Sequence, residues 1–372
     1  LAAPWQSRRK RVIRVIRPMV SPMIFDYIDT DITPVFASVL LGGLLGLVFG
    51  AAAQVSRFCL RRGVVMGGDR KTALGVWLTA LLVAVLGTQA AVATGYLDFS
   101  DHRLHVSALP VVAVLVGGAL FGAGMVLTRG CISRLTVLTA TGNLRAMLVL
   151  IVFAIIAHAT LKGVLAPLRL ALGSTTVELG DATALSGWPG GTPLWTALLS
   201  IALIAVIWRS GARPLHLAMA AVIGVLAPLG WIGTGYLLLD DFDPIPLASM
   251  SFTAPWADTL FWGVASSAIP AGFGTGLIGG VLAGAFLSAA ARRELSLVSF
   301  ESPAQTLRYL GGAALMGLGG VLAGGCTVGA GLSGIGSLSV AAVLALVAII
   351  FGAVVTDRVL LRGGTKSAVP AE

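Results

Sequence analysis

Long apolar stretches separated by short polar runs fill most of this chain. A helix rises 1.5 Å per residue, so roughly 20 mostly apolar residues cross the hydrocarbon core of a bilayer. Nine stretches approach or exceed that length: residues 35–54, 72–96, 107–128, 144–165, 194–208, 215–239, 262–289, 305–323 and 337–356. They predict nine membrane-spanning helices, the fifth being short. The longest connection runs from about 166 to 193 and carries Glu178 and Asp181. Ahead of the first stretch lies a basic extension, residues 1–34. It contains Arg8, Arg9, Lys10, Arg11, Arg14 and Arg17, then Pro18 and Pro22, and no apolar run of signal-peptide length.

Four shorter segments sit between the long ones. They follow Gln54 (VSRFCLRRGVVMGG), Thr128 (RGCISRLTVLT), Ala248 (SMSFTAPWADT) and Ala323 (GGCTVGAGLSGIG). Each is rich in Gly, Ser, Thr or Pro and too short to cross. Irregular backbone at membrane depth survives only where it is buried in protein or lines a cavity. These segments therefore predict four re-entrant half-helices aimed at a central site.

An internal repeat supports that arrangement. GALFGAGMVLTRGC, ending at Cys131, aligns with AALMGLGGVLAGGC, ending at Cys326, at an offset of 195. At an offset of 194, Phe58 of SRFCL meets Phe252 of MSFTA, and Cys59 meets Thr253. Five crossings separate the starts of the two copies, so the copies should be inverted in the membrane. The fold class expected is an all-α integral membrane protein. Its first repeat covers 35–165, a linker with the fifth helix 166–214, the second repeat 215–356, and a tail 357–372. The Cys59 and Cys131 segments then enter from one face and the Cys326 segment from the other, so that the three thiols converge near the midplane.

Composition agrees: 57% of residues are hydrophobic and 11% charged, against about 25% charged in soluble domains. The net charge of +9 falls in short runs between apolar stretches rather than in a stripe interleaved with aromatics, which excludes nucleic acid as a partner. Basic residues cluster at 57–71, 129–145, 209–213, 292–293 and 358–366, and acidic ones at Asp98/Asp101, Glu178/Asp181 and Asp240/Asp241/Asp243. Alternate crossings put these two sets on opposite sides, and the positive-inside rule places the basic side in the cytoplasm. The run at 8–17 argues the other way. With three cysteines, no CxxC pair and no P-loop, no zinc site, cofactor or direct use of ATP is expected.

Five motifs, RFC at 57–59, FGAGMVLTRGC at 121–131, GNLRAM at 142–147, SFTAP at 251–255 and GGVLAGGCTVGAGLSG at 319–334, resemble the YeeE/YedE family of membrane proteins, which imports thiosulfate and related sulfur compounds in bacteria. The resemblance covers roughly 38–355. It implies a nine-helix fold with four short inward segments, functional thiols at Cys59, Cys131 and Cys326, a transporter rather than an enzyme, a bacterial inner membrane, and a cytoplasmic sulfur-carrier protein as partner. Ile132, Ser133 and Arg134 depart from the glycine-rich continuation usual there.

The residues fit such a cargo. A neutral thiol is a weak donor, able to hold the soft terminal sulfur of thiosulfate without trapping it, and conduction needs such sites. The alternative is that each Cys is a small buried hydrophobe. Arg57 and Arg129 each precede a thiol by two residues and would gather an anion, or else snorkel to the interface. Arg61, Arg62 and Arg134 read as topological charge. Gly130, Gly324, Gly325, Gly329 and Gly331 would let backbone N–H groups approach a ligand. Gly117, Gly118, Gly122 and Gly124 read as helix packing. Thr253, Ser251 and Ser333 offer hydroxyls, and His158 and Lys162 share one helix face. Other cargoes, a selenium compound, sulfide or a persulfide, fit the same residues. A membrane sulfurtransferase ranks last, since no His/Asp pair accompanies a cysteine.

Overall fold

The computed structural model describes residues 33–362 other than 101, 241 and 242. The basic run at 8–17, and with it the conflict over orientation, lies outside the described residues. Thirteen α-helices follow in chain order: α1 Pro34–Ser56, α2 Leu60–Val64, α3 Arg70–Ala93, α4 Val111–Leu127, α5 Ile132–Ala140, α6 Leu144–Lys162, α7 Ala166–Gly173, α8 Gly191–Trp208, α9 Pro214–Ile232, α10 Thr253–Val264, α11 Phe273–Ala291, α12 Pro303–Leu322 and α13 Val340–Arg362. A π-helical turn, Thr327–Gly334, separates α12 from α13. Among the described residues nine helical stretches are long and apolar enough to cross a membrane, and the chain is an all-α multi-pass membrane protein.

Local chemistry fixes where these helices start. Thr33 accepts from the Phe36 amide ahead of Pro34, Asn143 from Ala146, and Ser302 from Gln305 ahead of Pro303. Each cap satisfies an amide that the first turn leaves orphaned. Two expectations need correction. The seventh span was read from 262 but begins at Phe273, because residues 262–264 complete the half-helix α10 and Pro270 lies in the break. The connection at 166–193 is not a plain loop: it holds α7 and a strand, β2 (Val177–Glu178), paired antiparallel with β1 (Ala108–Leu109).

Glycine sets how closely the spans pack. In α1, Gly42, Gly46 and Gly50 face the backbone of α11 at Phe273, Leu277 and Val281 in turn. In return, Gly276, Gly280 and Gly284 of α11 face the α1 carbonyls of Val39, Gly43 and Leu47. A methyl group at any of these six positions would overlap a partner carbonyl. The two helices thus run parallel, backbone against backbone, along three turns. Without a hydrophobic drive between helices in lipid, such van der Waals and Cα–H···O contact is what holds spans together.

The same residue pattern reveals the symmetry. Gly118 and Gly122 of α4 rest on Ala345 and Ile349 of α13, again parallel. Between α4 and α12 the order reverses: Gly117 faces Gly319 and Ala323, whereas Gly124 faces Gly312 and Met316. Gly117, Gly118, Gly122 and Gly124 therefore do serve packing. Since α4 and α12 are the equivalent helices of the two copies, their antiparallel contact shows the copies to be inverted. Partners are exchanged as well: α1 packs on α11 as α9 packs on α3, and α4 packs on α13 as α12 packs on α6. The fifth span, α8, stands outside this exchange, with only 11% of its apolar window buried, and faces lipid.

At the end of the molecule where α4 begins, a cap of aromatic and imidazole rings closes the bundle. Phe99 meets Trp231 edge-on at 5.1 Å and stacks on His105 at 5.7 Å, while His102 meets Trp231 at 5.1 Å. Burial, with Arg103 beside it, pulls the His102 pKa down to about 4. A His whose folded pKa lies below its unfolded 6.5 stays neutral in the fold, so stability is fully present above pH ~6.5 and is lost as pH falls toward 4. Detergent melts between pH 7 and 4 should show this loss, and His102→Gln should flatten it. For the ladder, Gly280→Ala should destabilise by about 1–3 kcal/mol, the range for overpacking. Gly279→Ala, whose added carbon meets nothing within 4 Å, should melt like the parent.

Candidate functional site

Each of the three cysteines occupies the same kind of place. Cys59 is the residue ahead of α2, Cys131 the residue ahead of α5, and Cys326 the residue ahead of the π-helical turn. These are N-cap positions, where Ser, Thr, Asp or Asn would stabilise the segment more than a thiol does. Only Cys326 forms a cap bond, accepting from the Gly329 amide at 3.4 Å. All three are buried, at 3%, 1% and 1% exposure, within one contiguous core. No passage therefore stands open to water at the thiols.

Cys59 and Cys131, 72 residues apart in the chain, lie in one core within electrostatic reach of each other. Cys131 also lies 3.2 Å from the Ser133 hydroxyl. Cys326 enters the same core on a separate segment. Its segment leaves α12 beside Gly117, whereas the Cys131 segment leaves α4 at Leu127, ten residues or ~15 Å further along the axis. The segments bearing Cys131 and Cys326 thus approach the core from opposite faces, because α4 and α12 are antiparallel.

A few contacts tie the broken segments to each other and to α1 around this core. Phe58 and Phe252, equivalent in the two copies, both pack on Phe49, at 6.2 and 5.2 Å. Trp256 of α10 donates to Thr136 of α5 at 2.8 Å. Ser333 of the π turn donates to the Met250 carbonyl at 2.7 Å, so this hydroxyl is spent on backbone. The Thr253 hydroxyl at the start of α10, the Thr327 hydroxyl and the indole N–H of Trp77, whose ring abuts Gly331, are buried with no partner among the described residues.

The glycines near the thiols have mixed duties. Gly329 abuts Ser251, Gly325 the Ala330 amide, and Gly130 the Leu135 side chain. Gly324 alone combines a left-handed φ of +74° with open space. It lines a cavity of about 580 Å³ at the start of α4, shared with Ala323, Ala330, Arg103 and Arg169. His158 stacks on Phe261 at 4.2 Å and lies with Lys162 near Asp258 of α10, a structural arrangement.

At the other end of α4 the picture is dominated by arginine. Arg57 and Arg129 both adopt left-handed backbone, φ 51° and 60°, just past the ends of α1 and α4. Glycine is the usual choice there, and the repeat places Gly324 opposite Arg129. Arg61 and Arg134, read from the sequence as topological charge, are instead half-buried and within electrostatic reach of Cys59. Sequence spacing did hold a signal: Arg61 and Arg134 lie two and three residues after a thiol, on the first turn of a half-helix. Arg62 keeps to the expected surface role, bonded to Asp69 and to the Arg57 carbonyl.

Inverted helical repeats, spans broken at a buried centre and a basic mouth at one end define a membrane transporter. The particular family follows from comparison: a family model described as sulphur transport matches residues 55–355, and the chain belongs to that family. Two curated relatives are similar. The thiosulfate transporter TsuA of Escherichia coli is 25% identical over 334 residues, covering 80% of this chain and 87% of the relative. The thiosulfate transporter TsuA of Spirochaeta thermophila is 27% identical over 332 residues, covering 84% and 96%.

A left-handed residue bearing a side chain costs about 1 kcal/mol relative to Gly. Arg129→Gly should therefore melt later than Arg129→Ala, both lacking the guanidinium, by about that amount.

Proposed function

We propose that the chain imports thiosulfate, or a closely related small sulfur-containing anion, across a bacterial inner membrane, along a path on which Cys326, Cys131 and Cys59 act in series. The observation that carries this reading is the burial of Cys59, Cys131 and Cys326 in one core, each at the start of a broken segment, with the Cys326 segment arriving from the opposite face. Buried thiols at N-cap positions that Ser, Thr, Asp or Asn would fill better serve ligand chemistry rather than local stability.

Thiosulfate has a sulfonate end and a soft terminal sulfur. The cavity bearing Arg103 and Arg169 collects the anion at the end of the molecule facing away from the basic loops. The unpartnered Thr253 hydroxyl and the backbone around Gly325 then meet it beside Cys326. From there the terminal sulfur accepts a weak S–H contact from one thiol after another, each too weak to trap it. Gly130 keeps the backbone clear beside Cys131. Arg57 and Arg129 draw the anion to the cytoplasmic mouth, where a sulfur-carrier protein receives it. The burial of the thiols makes this structure an occluded state, opened by small shifts of the half-helices.

In proteoliposomes loaded with the purified protein, Cys131→Ser and Cys326→Ala should each cut uptake of labelled thiosulfate at least tenfold, with folding checked by gel filtration. Normal uptake by both variants would overturn the relay. Unlabelled sulfide or selenite competing better than thiosulfate would reassign the cargo.

A further inference from the structure

We infer that Arg61, Arg134 and Arg308 form an oxyanion-binding well beside Cys59, which grips the oxygen-bearing end of the cargo while a thiol faces its sulfur; this rests on the permease reading above and adds a second point of recognition to it.

Three guanidinium groups carry the argument. Arg134 lies in the first turn of α5, Arg61 in α2, and Arg308 in the first two turns of α12. Nη1 of Arg134, Nε of Arg61 and Nε of Arg308 are each buried with no acceptor supplied by the described residues. A buried donor without a partner costs more than a made bond returns, and a buried charge costs more still. At Arg134 a terminal nitrogen is itself buried, which ordinary snorkelling, delivering the head group to water, does not explain.

The charge balance points the same way. Arg61 and Arg134 are each within electrostatic reach of Cys59, Arg134 of Arg57 and Arg62, and Arg129 of both Arg61 and Arg308. The neighbouring acids are few. Asp69 is taken by Arg62, Glu294 by Arg292 and Gln54, and Asp357 accepts from the Met66 amide while lying near Arg61. Arg61, Arg134 and Arg308 repel their cationic neighbours unless an anion joins them.

Symmetry sharpens the point. The inverted copy carries Gly329 where the first has Arg134, Pro255 where it has Arg61, and Gly324 where it has Arg129. The framework needs no arginine at these places. All of them collect on the side of the basic loops, where the Cys59 and Cys131 segments begin. An ion with three oxygens on one end matches planar guanidinium donors, and its terminal sulfur then points to Cys59.

The test uses full-length protein in detergent and in proteoliposomes. Millimolar sulfate, which has the oxygens and lacks the soft sulfur, should raise the melting temperature of the parent. It should fail to do so for Arg134→Gln and Arg61→Gln. Arg145→Gln, whose guanidinium already bonds Glu301 and the Ser299 carbonyl, should keep the shift. The KM for thiosulfate should rise about tenfold or more in Arg134→Gln, the loss of a charge-assisted bond, with partial recovery in Arg134→Lys. A folded Arg134→Gln with the parent's sulfate shift and KM overturns the well and leaves the cysteine relay standing. Loss of the sulfate shift in Arg134→Gln, alongside normal uptake by the cysteine variants, supports the well and overturns the relay.

Discussion

Backbone contact between α1 and α11, six glycines interleaved with carbonyls, is the constraint from which the rest of the architecture follows. It locks a span of the first copy to a span of the second at a fixed depth. The exit of α1 into the Cys59 segment and the start of α11 after α10 are thereby placed relative to each other. Any side chain larger than hydrogen in the seam would separate the helices and, with them, the segments they carry. The parallel contact of α4 with α13 does the same for the Cys131 segment and the π turn.

On that frame the two copies diverge in chemistry while agreeing in shape. Phe58 and Phe252 share Phe49 as their partner, and four half-helices meet through a small set of hydrogen bonds. Yet a thiol in one copy is a threonine in the other, and arginines in one are glycine and proline in the other. A symmetrical scaffold has been given an asymmetrical lining, with one thiol toward one face and two thiols plus the arginines toward the other.

Much of this was legible in the sequence, because bilayer thickness converts hydropathy directly into spans. The nine helices, the four broken segments and the inverted copies follow from run lengths and from one Gly-Cys motif repeated. The helix start at Phe273 was misplaced because apolar residues fill both α10 and the break after it, so hydropathy does not mark the boundary. The burial of the three cysteines at the starts of broken segments was legible in the Gly-Cys motifs, but the depth of each segment was not. How deep each half-helix penetrates depends on tertiary contacts such as Gly117 against Ala323. Arg61 and Arg134 were misread for a related reason: a charge near a helix end looks the same in sequence whether it faces lipid headgroups or a buried sulfur.

The exchange of partners between the copies has a mechanical outcome. Where each half of a carrier is a separate bundle, the halves can tilt against each other as solid bodies. Here every rigid seam joins one half to the other, through glycine contacts with no side-chain cushion to slide on. Tilting would have to tear two such seams at once. The moving parts are therefore the short inserts themselves, chiefly the turn at Thr327–Gly334 with its looser winding. Such a frame resists rocking and leaves the short inserts as its least tightly bound parts.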